Sequence, residues 1–326
     1  MKSKIGIHEL LGDPPWDQEI LRKCYFQNFT ETREFIQDKH PGASVYANLG
    51  SIRLSLEIFL NAEADLISSI NRFKAGSDRP GFWDRPSRQY VESLEISIQR
   101  GIASSAMCAM ALKDHCLKFN AEFPIIEYDN MKNHYFIDNE EHCFVQCLRN
   151  YISHFKITQA NWTVNQSLVG DGRKVSFIFS YNDLLKWKEW RSLAKSYIKK
   201  HSKGINVEEL FEHYSTTVTE FHNWLRSAIM NKYGDEISDY LRYLRLMNRF
   251  ASQSHWNLLI SQVFIPKKID PYMYLDRYVT RQELDKVLSL PHRSKEQVDC
   301  IIELVDEYDA CTEEIRNLAY EFFNVK

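Results

Sequence analysis

Long apolar runs are missing from this chain of 326 residues. No stretch approaches the roughly 18 consecutive apolar residues that mark a membrane-crossing helix. Residues 1–9 also lack the apolar centre of a secretory signal. The sequence therefore predicts a cytoplasmic protein with no membrane partner.

A strong charge of either sign is missing too. The formal net charge is -3 and the sequence pI is about 6.4, which excludes a protein that coats nucleic acid through bulk charge but not a local basic cleft. The seven cysteines are odd in number and lie mostly at helix-like positions. In a chain this long they indicate reduced core thiols rather than a disulfide framework.

Apolar residues recur at helical spacing through most of the chain. The helices predicted from this pattern are residues 17–39, 44–73, 89–119, 139 to about 155, 182–200, 207–229, 235–261, 280–289 and 294–323. Alternation changes to a period of two on both sides of Gly170-Asp171-Gly172, which predicts one β-hairpin. We therefore expect an all-α fold, a bundle of long amphipathic helices, with a hairpin inserted near residues 161–180.

Two prolines, Pro266 and Pro271, interrupt the helical pattern near the end of the chain. We use them to divide the sequence into a helical domain of residues 1–265, which contains the hairpin, and a C-terminal helical extension of residues 266–326. No internal repeat and no low-complexity tract suggests another division.

The predicted helix of residues 139–155 carries the candidate catalytic residues. Asp138 as N-cap and Glu141 three residues later form a predicted capping box. One face of this helix is apolar: Phe144, Leu148, Tyr151, Ile152 and Phe155. A second ridge, about 100° away, consists of Cys143, Cys147, Asn150 and His154.

Arg149 lies roughly 140° around this helix from His154. One helix therefore cannot close both side chains on the same phosphate. Two copies related by a two-fold axis can do so, with arginine and histidine contributed from both. The spacing thus favours a homodimer if the two side chains act together.

The pattern Arg149-Asn150-x-x-x-His154 resembles the active-site motif of HEPN ribonucleases (higher eukaryotes and prokaryotes nucleotide-binding domain). The strict family form has Arg, then Asn, Asp or His, then three residues and His, and this chain matches it with Asn150. A looser form, Arg and His separated by four to six residues, recurs elsewhere in the chain. It occurs at Arg33 to His40 and at Arg249 to His255, where Glu34 and Phe250 break the strict form.

The resemblance implies a HEPN-like fold and an endoribonuclease that needs no metal and no other cofactor. Its catalytic residues would be Arg149, Asn150 and His154, joined into one composite site at a homodimer interface. It also implies a 2′,3′-cyclic phosphate product, a role as toxin or anti-phage effector, and an antitoxin or defence-system protein as a further partner.

The residue types suit cleavage of an RNA substrate. Histidine titrates near neutral pH, so it can take a proton from a 2′-hydroxyl or give one to the leaving 5′-oxygen. Arginine stays charged and can hold the phosphate as negative charge builds in the transition state. Asn150, one turn before His154, is expected to orient the imidazole or bind the phosphate.

Other interpretations remain open at this point. The motif is also compatible with an ordinary capped helix end in a non-enzymatic interaction or nucleotide-binding module. A metal site formed by Cys143, Cys147 and His154, or around His134 and His142, is a further alternative. The loop of residues 79–88, rich in arginine and with two aromatic residues, fits either RNA contact or plain solvation.

Overall fold

The computed structural model describes residues 6–154, 161–166 and 173–325. Helices make up 76% of the structure, which confirms the predicted mostly helical class. The described α-helices are α1 (Ile7–Leu11), α2 (Gln18–Gln27), α3 (Phe29–Lys39), α4 (Pro41–Ser77), α5 (Arg88–Glu122), α6 (Tyr128–Lys132), α7 (Glu140–His154), α8 (Tyr181–Leu184), α9 (Ser192–Lys200), α10 (Val207–Leu258), α11 (Arg281–Ser289), α12 (Lys295–Val305) and α13 (Glu313–Phe322). A π-helical segment, Leu259–Phe264, directly continues α10.

Three strands form a small sheet in the order β1, β2, β3: Asn161–Gln166, Arg173–Phe179 and Ile205–Asn206. β1 and β2 pair antiparallel, with Trp162 opposite Phe177, which confirms the predicted strand pair. The predicted turn at 170–172 lies outside the described residues. β3 was not predicted. It follows Gly204, whose φ of 104° favours glycine and whose position would bring a Cβ within 2.2 Å of the Ile178 side chain.

Single polar residues divide two helices that the hydrophobic periodicity predicts as continuous. The predicted helix 17–39 is two helices, because Asn28 adopts an extended backbone and its side chain accepts a hydrogen bond from the Glu31 amide at 3.2 Å. The predicted helix 294–323 is likewise divided into α12 and α13. There the Asp306 carboxylate accepts hydrogen bonds from the amides of Ala310 and Cys311, both at 2.8 Å.

The opposite error occurs at Gly234. The sequence predicts a break between helices at 207–229 and 235–261, but α10 runs through this glycine as one helix of 52 residues. A single glycine costs a helix only about 1 kcal/mol relative to alanine. The apolar stripes on both sides are long enough to sustain the helix across it.

The chain separates into two compact units, one formed by Met1–Ser44 with Asp235–Lys326 and the other by Val45–Gly234. Among its described residues the first unit has a hydrophobic cluster built around Trp16 and Tyr243 and another around Val287 and Val298. The second unit contains α5 to α9, the sheet and therefore the motif helix. Residue 266 lies inside the first unit, and the proposed division at 265/266 stays a prediction.

A close backbone approach in the first unit gives a stability test. A Cβ added at Gly42 would lie 2.1 Å from the Glu236 carbonyl oxygen. Either the start of α4 or the backbone at Glu236 must therefore shift. We expect Gly42→Ala to lower the free energy of unfolding by about 1–3 kcal/mol, measured by urea denaturation. Gly50→Ala in the same helix is the control, since no atom lies within 4 Å of its Cβ position. It should be neutral or mildly stabilising, and equal losses in both variants would contradict the steric argument.

No helix among the described residues combines the length and the apolar character needed to span a bilayer.

Candidate active site

The motif helix α7 begins at Glu140, one residue later than an N-cap at Asp138 would place it. The Asn139 side-chain oxygen accepts hydrogen bonds from the amides of Glu141 at 2.9 Å and His142 at 3.1 Å. Asn139 is therefore the N-cap, and the prediction of Asp138 for this position is wrong. Either residue type can cap a helix, so composition alone did not choose between neighbours.

Polar contacts fix the first turn of α7. Glu140 pairs with Lys200 at 2.8 Å and accepts a hydrogen bond from Ser196 at 2.8 Å. These hydrogen bonds hold the pKa of Glu140 below its ordinary value. Glu141 pairs with His213 at 2.8 Å. The start of the helix is thereby tied to α9 and α10.

The middle of α7 is core. Phe144, Leu148 and Tyr151 are buried, as the predicted apolar face requires, and Ile152 is half-buried. Trp190 stacks on Phe144 at a centroid distance of 5.3 Å and on Tyr151 at 5.4 Å. Phe155, the last member of the predicted face, lies outside the described residues. This packing fixes the rotation of the helix and so determines which side chains reach solvent.

The second ridge of α7 is divided between core and solvent. Cys143 and Cys147 are buried, and burial raises the pKa of the Cys147 thiol. His154, at the other end of the same ridge, is exposed. The part of the chain that the structure describes contains no group of three or more histidine, cysteine or acidic side chains arranged to hold a metal ion. The alternative metal site therefore gains no support from the geometry.

All three predicted site residues lie in the last two turns of α7. Arg149 and His154 are exposed and Asn150 is half-buried. Arg149 Nη1 donates a hydrogen bond to Asn150 Oδ1 at 3.0 Å, so the structure brings these two side chains together. It does not bring Arg149 to His154 in one chain, because the helix is continuous between them and keeps them about 140° apart.

The Arg–His pairs that match only the loose spacing can be compared with the strict motif. His40 is buried, its Nε2 lies 3.1 Å from Asp239 Oδ2 and its Nδ1 accepts a hydrogen bond from the Gly42 amide at 3.1 Å. This histidine therefore has a structural role. Arg249 and His255 are both exposed, so exposure alone does not distinguish them from the strict motif, and only the residue after the arginine does.

The arginine-rich loop at 79–88 is partly structural. Phe82 is buried and Trp83 packs against Trp162 at 4.8 Å, so neither is a free stacking platform. Two exposed arginines, Arg72 and Arg79, line a shallow cavity of about 460 Å³ beside the loop. The surface available for a phosphate chain is thus smaller than the sequence suggested and lies partly on α4.

Sequence reasoning missed the side chains that position α7. Trp190 packs on two of its apolar residues, and Arg191 donates a hydrogen bond to Gln146 at 2.8 Å. The only sequence signal was the pair of tryptophans at 187 and 190 inside a segment predicted to be plain helix. In the structure residues 185–191 separate α8 from α9, so the prediction of one continuous helix over 182–200 is wrong.

Comparison with known proteins adds no relative. No protein-family model matches the chain, and neither the curated proteins nor the solved structures include a match to it. The functional argument therefore depends on the motif and its geometry.

Proposed function

We propose that this protein is a metal-independent endoribonuclease of the HEPN type. Its site would combine Arg149, Asn150 and His154 from two copies of the chain at a homodimer interface. The RNA substrate would lie across the ends of the two α7 helices. A HEPN-like arrangement of the helices belongs to this proposal, as does a cytoplasmic location.

The strict motif, which Arg249 and His255 do not satisfy, carries the proposal, and the placement of its residues on α7 agrees with it. The first turn of α7 is hydrogen-bonded to neighbouring helices and its middle is buried, whereas Arg149 and His154 at its end are exposed. A histidine needed only for packing would be enclosed, as His40 is. An exposed base and an exposed fixed cation, on different sides of one helix end, are available to a second molecule.

The proposed chemistry uses few groups. His154 takes the proton of a 2′-hydroxyl, and the resulting alkoxide attacks the neighbouring phosphorus. The bond from phosphorus to the 5′-oxygen breaks, and that oxygen takes a proton from a water molecule. The products are a 2′,3′-cyclic phosphate and a 5′-hydroxyl.

Arg149 stabilises the charge that builds on the non-bridging oxygens during this step. Its hydrogen bond to Asn150 limits the conformations of the guanidinium group, so less freedom is lost when it meets a phosphate. Asn150 therefore positions the arginine in the free protein. A toxin or anti-phage role, with an antitoxin or defence-system partner, would follow from such an activity.

The decisive experiment uses end-labelled RNA in excess EDTA. We expect cleavage, with products whose new 3′ ends resist phosphatase until acid opens a cyclic phosphate. The matched substrate carries a single 2′-deoxynucleotide at the mapped cleavage site and should stay intact there. Cleavage of the deoxy linkage, or cleavage that EDTA abolishes, would contradict the proposal. No cleavage of any RNA would favour a non-enzymatic helical module.

A further inference from the structure

A second candidate site lies in the unit that does not contain α7. A cavity of about 200 Å³ opens between the end of α10, the π-helical segment and the helices α12 and α13. Its walls are mainly apolar, and the buried residues among them are Ile260, Leu275, Ile301, Ile315, Ala319 and Phe323.

This cavity is partly open to solvent, so a small molecule can reach it. An engineered cavity of about 150 Å³ with leucine, isoleucine and phenylalanine walls stays dry and binds benzene. The cavity here offers at least that much space, so one aromatic ring fits.

The charged side chains of the lining are all acidic. Asp270 and Asp306 contribute carboxylates, and no lysine, arginine or histidine is among the residues that line the cavity. The Asp306 oxygens accept hydrogen bonds from the amides of Ala310 and Cys311, which fixes that carboxylate. Asp270 is exposed and accepts a single hydrogen bond from the Tyr272 amide at 3.1 Å, so it has acceptor capacity left for a ligand.

Two exposed aromatic rings, those of Tyr274 and Tyr278, also belong to the lining. The guanidinium group of Arg277 already lies over the Tyr274 ring at 4.7 Å, so Tyr278 is the ring that the proposal uses for a cationic ligand. Tyrosine faces attract cations, as carboxylates do. The mouth of an apolar cavity is thus equipped for a positively charged group.

We propose that this cavity binds a small ligand with an apolar body and a cationic end, an arylalkylamine in chemical class. The body fills the space between α12 and α13, and the ammonium group stays at the mouth beside Asp270. This proposal does not depend on the nuclease proposal, because it concerns other residues in the other unit.

Three probes of similar size test it by calorimetry on the full chain: 2-phenylethylammonium, 2-phenylethanol and phenylacetate. We expect the ammonium to bind about three- to fivefold more tightly than the alcohol, the range of an exposed ion pair, and the carboxylate to bind most weakly. Asp270→Asn should remove the preference for the ammonium. Asp276→Asn, an exposed aspartate outside the lining, should preserve it. Equal binding of the ammonium and the carboxylate, or no binding of any probe, would overturn the proposal.

A cavity-filling variant locates the ligand. Ala319→Leu places three more carbon atoms into the cavity and is expected to weaken binding of the ammonium at least tenfold while raising the melting temperature. Because a more stable variant is folded, lost binding then reports occupancy. Unchanged binding would place the ligand elsewhere and overturn the assignment. A dimer that this variant dissociates on a sizing column would overturn it too, because the occupant would then be a second copy of the chain.

Discussion

His154→Ala is expected to reduce RNA cleavage by about 10²–10⁴-fold, the usual contribution of a general acid or base. Arg149→Ala should cause a loss of similar order, about 10²–10³-fold, because it removes the fixed positive charge that faces the transition state. Both side chains are exposed, so neither variant should change the melting temperature appreciably. Initial rates on one labelled RNA, with a melting curve for each variant, measure both effects.

The chain supplies a matched control for these variants. Arg249 and His255 form an exposed pair that satisfies only the loose spacing. Arg249→Ala and His255→Ala make the same chemical changes on another helix and should leave cleavage intact. If all four variants cleave as well as the unmodified protein, the motif is not the site. If all four lose activity, a general loss of positive charge explains the result better than catalysis.

Mixing the two inactive variants tests the shared site. Where each site takes Arg149 from one copy and His154 from the other, a mixed dimer keeps one intact site of two. Random exchange makes half of the dimers mixed, so activity should recover to about one quarter of the unmodified level. A site complete within one chain gives no recovery, since each copy in the mixture lacks one residue. The recovered fraction therefore distinguishes a shared site from one that each chain completes alone.

Helical periodicity predicted the interior of α7 because apolar side chains at i, i+3 and i+4 have to face a core. Phe144, Leu148 and Tyr151 are buried accordingly. The ends of elements were predicted less well, since they depend on single polar residues. Asn139 caps α7 in place of its neighbour, Asn28 divides one predicted helix, and Gly234 fails to divide another.

The candidate site was predictable to the same degree. The helix face of each residue follows from its position in the sequence, so the angular separation of Arg149 and His154 was available in advance. The hydrogen bond from Arg149 to Asn150 was not, because it depends on side-chain rotamers. The apolar cavity left no local pattern at all. Its walls come from segments far apart in sequence, from Trp256 to Phe323.

Acidification from pH 6.5 to 4 is expected to destabilise the unit that contains α7. His142 is buried with its Nδ1 2.9 Å from the Tyr214 hydroxyl, and burial lowers its pKa to about 4. His222 is buried beside Cys116, and burial lowers its pKa to about 4 as well. Both values lie below the ordinary histidine pKa of about 6.5. The unfolded chain therefore binds these protons first, and stability that is complete above pH 6.5 declines towards pH 4.

The expected loss is about 3 kcal/mol for each histidine across this window, measured as the free energy of unfolding in urea at several pH values. Acidic side chains titrate over part of the same range, so the histidine contribution has to be isolated by substitution. His142→Gln and His222→Gln should each remove about 3 kcal/mol of the decline, and the double variant about twice as much. The exposed His255→Gln should leave the decline unchanged. An equally steep decline in the double variant would mean that the two buried imidazoles are not kept neutral by the fold, and the acid sensitivity would then belong to the carboxylates.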